Sequence, residues 1–259
     1  MKKYIKLYIK FLSQSVQELL SYRMTAVLVS VFGLMFFATE LVLGAVYFSY
    51  TDTLLSWTRK EYLLLVSSAT TMNYLYQFLF ISSHENLSSV IVEGELDYTL
   101  LRPVNSFLFY NFYRFDFPSM LNAVLSVGFQ FYLLRDIRTG MGTILLYIGL
   151  LLLGTWFLFL MNFIVISLSF WSEKSDKLLS VPEYLMDFSA RPRDIYPGAV
   201  RFVLSFVVPI LLCVNAPALL IRGELYHSYI LILLFFNLMF TGVAVLLWNK
   251  GIEKYVSSN

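Results

Sequence analysis

The chain has 259 residues, of which 58% are hydrophobic and only 14% charged, and its formal net charge is +2. A soluble domain carries roughly 25% charged residues, so with a mean hydropathy of +0.70 the composition excludes a water-solvated surface and leaves lipid as the solvent. The near-neutral total says little about partners, no basic-aromatic pattern points to nucleic acid, and the single cysteine, Cys213, excludes an intrachain disulfide and reads as a packing residue in an apolar run.

The first predicted element covers Lys3 to Tyr22. Ile5, Ile9, Leu12, Val16 and Leu19 recur at intervals of three and four, while Lys3, Lys6 and Lys10 share another face, continued by Gln14 and Gln17. That pattern predicts an amphipathic helix lying in a membrane interface, with lysines toward anionic headgroups. No cleavable signal pattern follows, because the next apolar run is too long for a signal core and lacks a small-residue cleavage site.

A crossing of the hydrocarbon core needs about 20 apolar residues. Six runs qualify: Met24 to Tyr50, Tyr62 to Ser82, Phe117 to Leu134, Met141 to Phe170, Phe202 to Ile221, and Tyr229 to Trp248. The first carries one charge, Glu40, and the fifth is broken by Pro209 and Pro217. Residues 1–259 read as a single all-α membrane domain. Within it, 1–23 is the interfacial helix, 24–248 a six-helix bundle and 249–259 a cytoplasmic tail.

Lys and Arg set the orientation. With the N-terminus inside, segments 1–23, 83–115, 171–201 and 249–259 hold 14 basic residues, against 5 in segments 51–61, 135–140 and 221–228. Both termini are therefore expected in the cytoplasm.

Two of the inner segments exceed simple turns. In the first, Gly94 should end one helix and Pro103 should forbid the next. A two-turn helix fits between them, acidic at Glu95 and Asp97 and basic at Arg102, in agreement with the helix dipole. The second holds Glu173-Lys174-Ser175-Asp176-Lys177 and then Arg191-Pro192-Arg193, which predicts a short helix and a stiff turn into the fifth span.

Within the spans, Glu40 either meets a cationic substrate or an exit gate, or bonds a neighbouring helix. Ionisable residues in lipid cost about 2.5–3.5 kcal/mol on insertion scales and so face protein or water. Asn73 and Gln77 share a face of the second span, as pathway lining or as interhelical glue. Gln130 and Asn162 read the same way. Gly149 and Gly154 read as sites of close helix packing. The 24 Phe and 18 Tyr form belts and core, or line a cavity through cation–π contacts.

No phosphate-binding Gly-x-x-x-x-Gly-Lys loop, His-Glu-x-x-His or Gly-x-Ser-x-Gly occurs, and His84 and His227 are too few and too far apart for a metal. An enzyme acting alone is not expected.

The stretch Gly94-x-Leu96-Asp97-x-x-Leu100-Leu101-Arg102-Pro103 resembles the first cytoplasmic loop of ABC transporter permeases of the type-2 exporter class. Ile195-Tyr196-Pro197-Gly198, then Phe206-Val207-Val208-Pro209 and Ala216-Pro217-Ala218, resemble that family's fifth-span region, and the nearest subgroup is bacterial and viologen/drug-exporter-like. One departure is Val214-Asn215-Ala216-Pro217, where relatives often carry an aromatic before the proline. The resemblance implies a multi-pass permease of the bacterial plasma membrane that pairs as a homo- or heterodimer. Each permease would dock an ATP-binding cassette ATPase, which holds the ATP and magnesium. Gly94, Leu96, Asp97, Leu100, Leu101, Arg102 and Pro103 would form the coupling helix. A non-transporting membrane anchor and an ion-driven transporter are the competing readings.

Overall fold

A computed structural model describes residues 2–101, 104–137, 139–172, 178 and 180–255. Among them the fold is all-helical, with no β-strand. Helix α1 (Lys2–Ser21) turns at Tyr22 into α2 (Arg23–Tyr50). A short turn leads to α3 (Arg59–Tyr76), whose start is fixed by a capping box: Thr58 accepts from the Glu61 N–H, and Glu61 accepts from the Thr58 N–H. A π-helical turn, Gln77–Ile81, carries α3 into α4 (Ser82–Val92).

Next come a single helical turn, α5 (Asp97–Leu100), and α6 (Ser106–Phe112), capped by Asn105. Helix α7 (Phe117–Leu134) is capped by Asp116, and α8 (Met141–Ser167) extends through a 3-10 turn to Phe170. The remainder is α9 (Val181–Ser189), α10 (Gly198–Phe206), α11 (Ile210–Arg222) and α12 (His227–Lys254).

Among the described residues, four helices are long and apolar enough to cross a membrane: α2, α7, α8 with its extension, and α12. The pair α10 and α11 makes a fifth if it counts as one span, but it bends by 90°. Proline explains the bend at Pro209, which cannot donate a backbone bond there. Pro217 does not break the chain as the sequence suggested, since α11 runs straight through it. Helix α3, the main part of the expected second crossing Tyr62 to Ser82, is more polar than these helices for a physical reason. It sits in the centre against α2, α7, α8 and α11, so Ser67, Ser68 and Thr71 on it are fully buried in protein rather than lipid.

Small residues and polar bonds bring these helices together, as lipid offers no hydrophobic drive for association. A Cβ at Gly154 of α8 would lie 2.5 Å from Met72 Sδ of α3, and one at Gly44 of α2 2.9 Å from the Tyr62 ring. Gly149 has nothing within reach, so its expected packing role falls away. Gln130 of α7 does bind across helices. Its amide donates to the Ser67 carbonyl (2.9 Å) and to Thr71, and its carbonyl accepts from Tyr147 (2.9 Å). The Asn162 amide instead donates to Leu158 on its own helix.

The far end of the bundle, away from the chain termini, is clamped by Arg222. Its guanidinium lies 4.3 Å over the Trp57 ring, donates to Glu61 (2.9 Å) and reaches the Ser56 carbonyl (3.3 Å). Lys60 and Asp136 pair there too, at 2.8 Å. The end that carries the termini gathers α1, α4, α5, α6 and the last turns of α12.

The stretch 181–201 differs most from expectation. The sequence placed it in an inner segment, as a short helix and a stiff turn into the fifth span. Instead α9 packs against α3, α8 and α11, with Pro182, Met186 and Ser189 buried, and Asn215 of α11 binds the carbonyls of Ser189 and Arg191 (3.2 Å each). Residues 173–177, the charged run before it, lie outside the described residues.

Candidate functional site

Three sequence-selected polar residues, Glu40, Asn73 and Gln77, line one cavity of about 450 Å³ between α2, α3 and α9. Glu40 lies ten residues before the end of α2, about 15 Å of helix, so it sits well inside the span. It is not alone there. Arg191 Nη2 donates to its Oε1 at 3.1 Å, while Nη1 donates to the Ala190 carbonyl (3.1 Å) and lies 2.8 Å from Oε2 as an ion contact. A charge-assisted hydrogen bond of this kind is stronger than a neutral one. It also shields both charges from lipid.

Helix α9 adds two acidic groups to this arginine, which follows its C-terminal end. Glu183 and Asp187 are four residues apart on one face of α9, and both line the cavity with Arg191. The sequence analysis missed Glu183 and Asp187. The signal was there as a charge every fourth residue in an otherwise apolar stretch, but it sat in a segment expected outside the bundle. Gln77 accepts from Ser119 of α7 (3.2 Å), so it serves as interhelical glue and lining at once. The Asn73 carbonyl oxygen is buried with no hydrogen-bond partner among the described residues.

The second site is the turn after α4. Gly94 has φ +75°. The chain there closes a Schellman motif, with Glu95 N–H donating to the Val90 carbonyl (3.0 Å) and Gly94 N–H to that of Ile91 (3.4 Å). The expected helix is present but is one turn, not two. Leu96 is fully buried in the core, while Leu101 is 86% exposed at the tip and Leu100 is half-buried. The leucines therefore divide the work: Leu96 anchors the turn and Leu101 presents it. Arg102 and Pro103 lie outside the described residues.

Tyr255, at the end of α12, holds this turn. Its hydroxyl accepts from the Leu96 N–H at 3.0 Å. Burial, helped by the nearby Asp97 carboxylate, pushes the phenol above its ordinary pKa. No local pattern in the sequence could have revealed this contact, because its partners are 159 residues apart.

Helix α1 docks close by. Tyr8 and Phe11 meet Phe112 and Phe109 edge-on (6.1 and 5.5 Å). Ser15 accepts from the Phe115 N–H (3.0 Å), and Glu18 pairs with Arg114. Ile5, Ile9, Leu12 and Val16 stay exposed, as an apolar face toward lipid requires.

A buried cluster completes the region. His84 bonds Tyr76 (3.1 Å) and Asn111 (2.9 Å), walled by Phe80, Phe159 and Phe163. Both ring nitrogens are thus satisfied, which fits a structural role. Among the described residues no group of His, Cys, Asp or Glu could hold a metal ion.

A family model described as "ABC-2 family transporter protein" matches residues 34–259. The match takes in the cavity and the Gly94 turn and leaves out only α1 and the start of α2. No curated protein and no solved structure matches the chain. With several apolar helices long enough to cross a bilayer and a family match over most of its length, the chain belongs to the ABC-2 transporter family and is a multi-pass membrane permease component of an ABC transporter, a family that works with ABC ATPase partners.

Proposed function

We propose that the chain is the permease half of an ATP-driven exporter, with the cavity between α2, α3 and α9 as part of its pathway. The observation that carries this is the Glu40–Arg191 pair with Glu183 and Asp187 around the same space. Charges at that depth are stable only against protein or water, and α2 alone covers little of them. A second permease copy, same or different, closes the cavity. Six crossings result when α3 with α4 is the second and the run α9 to α11 the fifth, with both termini cytoplasmic. The outward direction and the drug-exporter-like subgroup rest on the resemblance of residues 94–103 and 195–218.

The turn at Asp97–Leu100 is the coupling helix in this reading, presenting Leu101 to a groove of the ATPase. Co-purification tests it. The chain, expressed in its native cells and solubilised, should recover an ATP-binding cassette ATPase subunit. Leu101→Asp should release it at least tenfold while leaving membrane insertion intact. An ATPase that never co-purifies, or that binds Leu101→Asp equally well, sinks the reading. For the pathway, Arg191→Gln leaves Glu40 unpaired and Glu40→Gln leaves Arg191 unpaired. Each should lower stability by on the order of 2 kcal/mol, less than the roughly 3–5 of a fully buried pair, since both side chains stay partly exposed. The charge-swapped double mutant Glu40→Arg with Arg191→Glu should regain most of it. Strictly additive losses would show the pair to be incidental.

A further inference from the structure

The coupling turn is too short to stand alone. A single helical turn carries the full nucleation penalty with almost no propagation to offset it. Its internal bonds are few: Thr99 and Leu100 donate to Leu96, and Leu101 to Asp97. Its backbone link to α4 passes through Gly94 at φ +75°, a residue type with the widest conformational freedom. A push on the turn would therefore swivel at that joint unless something else held it.

Besides its packing against α6, what holds it is the end of α12. The Leu96 N–H is one of the donors a helix start leaves without an internal partner, and the Tyr255 hydroxyl fills it. The Leu96 side chain is fully buried in the core. The last turns of α12 are themselves pinned. A Cβ at Gly251 would lie 2.2 Å from the Phe170 ring, so only glycine lets α12 press onto the end of α8. Phe170 packs on Trp248 at 5.5 Å, and Trp248 donates to Ser106 at 3.2 Å. From there α12 runs 28 unbroken residues to His227, about 42 Å, and so reaches the far end beside the Arg222 clamp.

We infer that Tyr255 is a positioning residue that fastens the coupling turn to α12, so that displacement by the ATPase reaches the far end along α12 rather than through α4. The inference rests on the coupling assignment made above. Its path is a rigid rod with one hydroxyl at the joint, and Tyr255→Phe removes that hydroxyl while keeping the ring.

The test uses the complex of permease and ATPase in liposomes. Tyr226→Cys places a reporter at the far end of α12, where the native side chain is 66% exposed, and the sole native cysteine is buried. Its labelling by a membrane-impermeant maleimide is timed with and without ATP and vanadate. In the parent, nucleotide trapping should change the rate several-fold. Adding Tyr255→Phe should abolish that change while the melting temperature, ATPase binding and the KM for ATP hold. A Tyr255→Phe complex that keeps the full nucleotide response overturns the inference. A response lost only together with a lowered melting temperature or lost ATPase binding also overturns it, because a plain packing role would do that. Leu101→Asp separates the two layers. If it retains both the ATPase and the labelling change, the coupling assignment fails. If it loses them while Tyr255→Phe behaves as the parent, only the α12 route fails.

Discussion

Helices α2 and α3 stand side by side and are built inside out from each other. Apart from Glu40 and the cavity wall beside it, helix α2 is almost wholly apolar, yet only Phe37 and Gly44 on it are buried. It touches its neighbours along a narrow stripe at Gly33, Phe37 and Gly44, where Tyr74 donates to the Gly33 carbonyl (2.5 Å) and Phe37 meets Phe129 edge-on (5.8 Å). Helix α3 carries serines, threonines, an asparagine and tyrosines, and eleven of its eighteen residues are buried. In water the polar helix would face out. In lipid the apolar one does, and polarity marks the helix that bonds to others. The cavity opens where the two kinds meet.

That contrast can be broken from either side. The largest expected effect is Leu65→Ala on α3, at a side chain with no exposure. It should cost about 2–4 kcal/mol, the range for a deleted core leucine, read as a lowered melting temperature in detergent. Helix α3 would not be the centre of the bundle if the loss were under 1 kcal/mol. A middle effect is expected for Gln130→Leu, which faces α3. Interhelical bonds average about 0.6 kcal/mol each, and Gln130 makes three, so the loss should approach about 2 kcal/mol. Gain of stability there would mean that polarity is not what binds α3. The smallest belongs to α2: Phe32→Ala, at a ring 54% exposed, should stay within about 0.5 kcal/mol. A larger loss would show a second protein surface covering α2 rather than lipid.

The candidate site was legible in part, and the divide is physical. Glu40 stood out because a charge in an apolar run is costly wherever it lies, but its partner could not be named, since Arg191 is 151 residues away. Asn73 and Gln77 were found through their spacing. Glu183 and Asp187 were lost because α9 is only nine residues long, too short for the length test that identifies a span. At the turn after α4, glycine and the Leu-Asp pattern marked the place. The choice of Leu101 over Leu96 as the exposed tip depends on which way one turn of helix is rotated, and only Tyr255 and the core under Leu96 set that rotation.

By itself the amino-acid order determined that this chain dissolves in lipid, that it is helical, and where most crossings begin and end. Those properties follow from composition and from periodicities a few residues long, which each segment carries alone. The tertiary structure decided which helix lies at the centre, that 181–189 enters the bundle, that Pro209 bends the chain while Pro217 does not, and that α12 grips the turn at Asp97. These depend on contacts between side chains far apart in the chain, and no local pattern encodes where such partners meet.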